Sequence, residues 1–249
     1  MNKKIERFTK KVRYYAKYRP SYPEIMMQYL SVSGILADTK IIADIGSGTG
    51  ILSKLFLDNG NIVYGIEPNQ AMRKASKMHL KNYQQFYPMD SFAEATSLKN
   101  QSVDIIVAGT SFHWFNITKT KVEFKRILKP SGWVILIWNI KNIVQPGLMY
   151  DYNDLVLRYK PKRSKKKISE ILRFFFIPNK VKIKSFENNQ YLTWNGFKGT
   201  FLSTSYTLNY SEEGYEDALR QLKIIFNRYK QNGIVKFLYN TVLYYGHFQ

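Results

Sequence analysis

From residue 40 onward the apolar positions fall into short runs separated by amphipathic stretches. Residues 40–45, 61–66, 83–87, 103–108 and 133–138 are runs of the length and composition of strands, the last of them wholly apolar. Residues 51–59, 70–80 and 119–128 have the spacing of helices, the last stopped by Pro130. Strands alternating with helices predict a mostly parallel sheet with helices on both faces.

The flanks depart from this rhythm. Residues 3–18 can form a basic amphipathic helix, which Pro20 and Pro23 break. Pro23 suits the first turn of a second helix through Ile25, Met26, Tyr29 and Leu30, with Ser21 nearby as a cap. Residues 140–178 read as an insertion, irregular and then helical, with a basic run at 160–167. Residues 181–186 and 234–245 look like two late strands joined through a helix at 211–229. They suit an antiparallel pair closing the edge of the sheet. The fold class expected is therefore α/β: a Rossmann-like, seven-stranded, mostly parallel sheet with helices on both faces and a C-terminal antiparallel strand pair.

Composition bounds the function. The 249 residues are 45% hydrophobic and 16% aromatic, enough for a sizeable core. There is no cysteine, which excludes disulfides, thiolate zinc sites and a cysteine nucleophile, and suits a reducing cytoplasm. The basic N-terminus lacks the apolar region of a secretory signal, and the longest apolar runs are too short to span a bilayer. A soluble, cytoplasmic protein is expected. The formal net charge of +20 points either to nucleic acid or an anionic membrane, or to a lysine-heavy solvated surface. Lysine far outnumbers arginine, the better phosphate reader, which favours the second reading.

The chemistry concentrates at Asp44-Ile45-Gly46-Ser47-Gly48-Thr49-Gly50, a turn between a predicted strand and a predicted helix. Glycines there permit positive φ and close approach of a ligand, and the helix N-terminus offers free N–H groups. Glu67 stands about 20 residues on, at the end of the second strand, where an acid can hold ribose hydroxyls. The spacing is G-x-G-x-G rather than the G-x-G-x-x-G of dinucleotide enzymes. Asp44 would sit poorly beside a pyrophosphate but well beside the cationic amino acid end of S-adenosylmethionine. A plain glycine turn without a ligand is the bland alternative.

At these residues the chain resembles the class I S-adenosylmethionine-dependent methyltransferases, in the methyltransferase type 11 group that includes domains of ubiquinone and menaquinone biosynthesis. The blocks occur in order: Asp44 to Gly50, then Ile66-Glu67-Pro68-Asn69 with Met72, Ser102 to Val107, and Phe124-Lys125-Arg126-Ile127-Leu128-Lys129-Pro130-Ser131-Gly132-Trp133. Tyr18-Arg19-Pro20-Ser21-Tyr22-Pro23, Ser111-Phe112-His113-Trp114-Phe115, Thr193 to Phe197 and Ser203 to Tyr206 resemble the trans-aconitate methyltransferase-like subgroup. The resemblance implies S-adenosyl-L-methionine as cofactor, held by Asp44, Gly46, Ser47, Gly48, Gly50, Glu67, Pro68 and Thr110. Near the adenine the family often places an acid just before an Ala-Glu pair. Phe92 stands there, before Ala93-Glu94, so Phe92 and Ala93 are expected to face the base and Asp90 to supply the acid. Arg19 could pair with the cofactor carboxylate.

His113, after the fourth strand, is the candidate base for a hydroxyl or amine acceptor; a packing or hydrogen-bonding role is the alternative. Trp138, Trp194 and Tyr206 are weaker candidates for an acceptor pocket. No metal is expected. The chain reads as one domain over 1–249, with a helical lid at 1–33 and the 140–178 insertion forming part of an acceptor cap. The favoured acceptor is a small molecule carrying a carboxylate or hydroxyl. The alternatives are an RNA or protein methyltransferase using the basic insertion, and a non-catalytic S-adenosylmethionine-binding protein. Against nucleic acid, the block after the fourth strand is Gly109-Thr110-Ser111-Phe112, and the basic run lacks interleaved aromatics for stacking.

Overall fold

The computed structural model describes residue 9 and residues 11–143, 146–159, 168–204, 207–208, 210 and 212–248, without the side chains of 168–170. Residues 3–8 and 10 of the helix expected at 3–18, the basic run at 160–167 and Tyr206 lie outside the described residues. The chain divides into two compact units, one of residues 21–138, 165–186 and 241–249, the other of residues 1–20, 139–164 and 187–240.

The strands are β1 (Ile41–Ile45), β2 (Ile62–Ile66), β3 (Phe86–Met89), β4 (Val103–Gly109), β5 (Leu128–Lys141), β6 (Lys182–Glu187), β7 (Gln190–Leu192), β8 (Val235–Phe237) and β9 (Tyr239–His247). The helices are α1 (Val12–Tyr18), α2 (Glu24–Val32), α3 (Ile51–Asp58), α4 (Gln70–His79), α5 (Ile117–Ile127), α6 (Leu148–Arg158), α7 (Ile168–Phe176), α8 (Trp194–Leu202) and α9 (Tyr215–Tyr229).

Seven strands form one sheet in the order β3-β2-β1-β4-β5-β9-β6. The pairs β1 with β2, β1 with β4, β2 with β3 and β4 with β5 are parallel. The chain moves outward from β1 to β3, then returns to lay β4 on the other side of β1. At such a reversal the loops after β1 and β4 diverge and leave a crevice at the carboxyl ends of the strands.

Alternation along the central strands shows that both faces are covered. Ile105 and Val107 of β4, with Ile135 and Ile137 of β5, pack with Met26 and Leu30 of α2 and Leu52 and Phe56 of α3. Their neighbours Ile106, Ala108, Val134 and Leu136 pack instead with Phe124 of α5 and Leu172 and Phe175 of α7. A period of two puts successive side chains on opposite faces, so near-continuous apolar runs mark strands buried on both sides.

Several boundaries differ from the sequence expectation. The third strand begins at Phe86, where pairing with Val63 starts, and Tyr83 lies in the turn before it. The late strand at 234–245 is two: β8 pairs antiparallel with β7 in a separate two-stranded sheet, while β9 joins the main sheet between β5 and β6. An alternating run does not encode where its partner changes. Pro23, expected in the first turn, is itself the N-cap residue of α2. The last long helix starts at Tyr215, after Gly214 at φ 83°. Strand β7 and helix α8 were not anticipated.

The other unit packs α6, α8 and α9 around Tyr152, Phe197, Leu222, Phe226 and Phe237. The ring of Tyr18 on α1 lies directly over Gly199, a position no side chain could occupy without displacing it. The buried Lys11 ammonium donates to Thr204 O (2.8 Å), Thr207 O (2.5 Å) and Thr207 Oγ1 (3.0 Å). Burial pulls its pKa down to about 8, against the pull of Glu212. The segment 140–178 contributes α6 to this unit and α7 to the other.

Candidate functional site

The glycine turn after β1 is shaped by backbone that other residues adopt only with strain. Gly46, Gly48 and Gly50 have φ of 71°, 57° and 82°. The amides of Gly46 and Ser47 both donate to Ile66 O (2.8 and 3.1 Å), which pins the turn to the end of β2. Gly50 is the N-cap of α3. A methyl on Gly46 would lie 2.6 Å from Ser111 Cβ, and one on Gly50 would lie 2.6 Å from Leu80 Cδ1. Both glycines therefore also serve packing.

Two acids converge on this turn. Glu67, just past β2, accepts from Gly48 N through Oε2 (3.0 Å) and from Asn69 N through Oε1 (2.8 Å). Burial raises its pKa, and the two amide bonds oppose that rise. Asp44 is 1% exposed. Its Oδ2 accepts from Ser53 Oγ at 2.6 Å, while Oδ1 is buried with no partner among the described residues. Burial pushes its pKa up to about 7, only partly offset by Ser53. A buried carboxylate oxygen without a donor is costly unless a ligand, or a water it orders, supplies one. These residues fit a ligand with cationic and hydroxyl donors better than a pyrophosphate.

The β3 side of the crevice holds the other expected residues. Asp90 is exposed and bound to Arg73 Nη2 at 2.5 Å. Arg73 Nη1 donates to Glu67 O at 2.7 Å, so one guanidinium joins the ends of β2 and β3. Pro68 is half-buried beside Glu67. The Phe92 side chain is 53% exposed, while Ala93 is buried in the core. Arg73 was missed in the sequence; its only signal is its place one turn into α4, after the Asn69 cap.

The loop after β4 forms the facing side. Thr110 has φ 53°, unusual for a β-branched residue, and its amide donates to Ile137 O at 2.7 Å. Ser111 Oγ donates to Ile45 O at 2.7 Å, locking this loop to the strand that leads into the glycine turn. His113 follows on a 3-10 turn (Phe112–Trp114), exposed and with its ring 5.0 Å from that of Trp114. Phe112 is buried and meets Trp138 edge-on, so Trp138 is core rather than pocket wall. Ser111 and Tyr22, whose hydroxyl would lie 2.5 Å from a methyl on Gly109, were also missed as residues of this edge.

Arg19 belongs to the other unit, where Nη2 donates to Ser203 O (3.0 Å) and the guanidinium lies 4.8 Å over the Tyr15 ring. Trp194 packs on Phe226, with Lys223 4.3 Å from its ring centroid. Among the described residues no cluster of His, Asp and Glu could hold a metal ion, and no helix is long and apolar enough to cross a membrane.

Residues 43–136 match the family described as methyltransferase domain. An uncharacterized methyltransferase of Schizosaccharomyces pombe is 29% identical over 129 residues, 51% of this chain and 50% of that protein. One of Mycobacterium tuberculosis is 28% identical over 128 residues, with the same coverage of 51% and 50%. The chain thus spans about half the length of the curated relatives it matches. A solved structure from Anaeromyxobacter dehalogenans, assigned as a type II methyltransferase, superposes with a TM-score of 0.69 at 18% identity, over 93% of this chain and 98% of that one. The sequence match over residues 43–136 and the likeness of the Rossmann-like fold are thus both to methyltransferases.

Proposed function

We propose that the protein is an S-adenosylmethionine-dependent methyltransferase acting on a small-molecule acceptor that presents a carboxylate or hydroxyl. The observation that carries the cofactor reading is the buried, half-partnered Asp44 beneath a positive-φ glycine turn tied to Glu67. When bound, the cofactor supplies an electrophilic methyl group on a sulfonium. Asp44 would balance positive charge, Glu67 would accept from ribose hydroxyls with its remaining lone pairs, and the glycines of the turn, lacking a Cβ, would let the ligand approach the backbone closely. Pro68, Ala93 and Phe92 would border the adenine, with Asp90 held nearby by Arg73. Thr110 would line the crevice on the β4 side.

His113 would take the proton from a hydroxyl acceptor; a carboxylate has none to give. The likeness of the Tyr18–Pro23 and Ser111–Phe115 segments to the trans-aconitate methyltransferase-like subgroup supports a small carboxylate, in a cytoplasmic setting. Calorimetric titration with S-adenosylhomocysteine, with NAD and FAD in parallel, tests the cofactor. Micromolar binding of the homocysteine compound alone supports the reading, and preference for a dinucleotide overturns it. Turnover on small carboxylates or hydroxyl compounds, but not on RNA or protein, supports the acceptor class; methylation of RNA would overturn it.

A further inference from the structure

The loop that follows β3 makes a set of contacts that the cofactor reading does not use. It runs from Asp90 to Leu98 and carries Phe92 and Ala93. It has little regular structure: one bridge between Phe92 and Ala95, with Ala95 N donating to Phe92 O at 3.1 Å, and a Ser91–Ser97 hydroxyl contact at 3.2 Å. Ser97 sits at φ 62°, a conformation that a non-glycine residue holds only when its surroundings enforce it.

Those surroundings come from α5. Glu123 is 7% exposed and faces the loop rather than solvent. Its Oε1 accepts from both Thr96 N (2.7 Å) and Thr96 Oγ1 (2.6 Å), and Thr96 is 0% exposed. Arg126, one turn on, grips the same carboxylate through Nε to Oε2 (2.8 Å) and Nη2 to Oε1 (2.7 Å), and its Nη1 reaches Asn100 Oδ1 (2.7 Å). Burial pushes the Glu123 carboxyl up, but the bonds from Arg126 and Thr96 outweigh it and hold it down at about 2. The carboxylate is therefore charged throughout the physiological range. At the other end of the helix, Asn116 N donates to Glu94 Oε1 at 2.6 Å while the Asn116 side chain caps Lys119 N. Helix α5 thus grips the loop at Glu94, within the Phe92–Ala95 turn, and at Thr96, just after it.

We infer that Glu123, locked by Arg126, is a positioning residue that sets the base selectivity of the cofactor site by fixing the Phe92–Thr96 turn through Thr96. This rests on the reading of Phe92 and Ala93 as the adenine border. Such a turn has few bonds of its own, so its shape is decided by the buried carboxylate that satisfies both Thr96 donors. A merely structural carboxylate would affect folding stability and leave the choice of base unchanged.

The test compares calorimetric Kd values for S-adenosylhomocysteine and its inosine counterpart, in which an oxygen replaces the adenine amino group. Wild type should prefer the adenine form. Glu123→Gln should weaken adenine-form binding about 10-fold, as for loss of a hydrogen bond to a charged group, and bring the Kd ratio close to one. Thr96→Val should lower the ratio in the same direction and Thr96→Ser should restore it; this pair decides the matter if Glu123→Gln does not fold. A folded Glu123→Gln or Thr96→Val protein with the wild-type ratio overturns the inference, whatever its melting temperature. Failure of the wild type to bind S-adenosylhomocysteine at all overturns the cofactor reading itself, and the inference with it.

Discussion

At the scale of single residues, the proposed cofactor site rests on two acids with different duties, Asp44 buried and Glu67 half-buried. Glu67 is engaged by Gly48 and Asn69 amides and so holds the turn as well as facing it. Glu67→Ala should weaken S-adenosylhomocysteine binding by about 1–3 kcal/mol in calorimetry, through loss of charge-assisted hydrogen bonds; unchanged affinity would remove Glu67 from the ribose role. Asp44 is a buried carboxyl whose pKa stands at about 7 against an ordinary 3.8. The sign follows from proton binding. Between those two values the folded state holds the proton and the unfolded state has lost it, so the contribution of Asp44 to stability falls as pH rises. A cationic ligand favours the ionised form, so cofactor affinity should climb between about pH 6 and pH 8. Asp44→Asn should abolish that climb in titrations at several pH values. The same change should raise the melting temperature of the ligand-free protein at pH 8, by roughly 2–4 °C per kcal/mol of relieved burial cost. Gly46→Ala meets Ser111 at 2.6 Å and forces alanine to φ 71°, so it should lose both stability and cofactor affinity in thermal and calorimetric assays.

At the scale of elements, the ends of strands and helices carry the geometry. Helix α4 begins at the Asn69 cap, whose side chain accepts from Ala71 N (2.9 Å) and Met72 N (3.1 Å). Its first turn delivers Arg73 to Glu67 O and Asp90. Asn69→Ala should cost about 1 kcal/mol of stability by denaturant titration, as for other lost N-caps. The Asn69 backbone amide, which the change keeps, donates to Glu67, so a first turn loosened by loss of the cap should also weaken cofactor binding; a stability loss with unchanged affinity would show that the cap and the site are independent. The register of β1 with β2 and β4 places the glycine turn between the loops after those strands, and Ser111 then fastens the β4 loop to Ile45 O.

At the scale of the molecule, the net charge of +20 is spread over a lysine-rich chain. Charge of that size bears on association and solubility rather than fold. Ligand linkage gives a test that does not depend on knowing the acceptor. S-adenosylhomocysteine at 100 times its Kd should stabilise the folded state by about 2.7 kcal/mol. For a chain of this size that is a rise of roughly 5–10 °C in melting temperature. NAD at the same concentration should produce no shift, and an equal shift with NAD would point to a dinucleotide site instead.

What the chain determined by itself was the part encoded locally. Apolar runs buried on both faces declared the parallel strands, Pro23 and Gly50 marked the starts of α2 and α3, and the Asp44–Gly50 turn with Glu67 carried its own chemical logic. Each of those signals lies within a few residues of what it specifies. Tertiary structure decided what depends on residues far apart in sequence. It split residues 234–245 between two sheets, because pairing partners are not written into a strand's alternation. It brought Glu123 to Thr96 and Arg73 to Asp90, contacts between helices and loops that no spacing rule predicts. It sent Phe112 and Trp138 into the core, since an aromatic run looks alike whether it packs or lines a pocket. Local propensity is read one residue and its neighbours at a time, whereas the satisfaction of a buried charge depends on which distant donors the fold delivers.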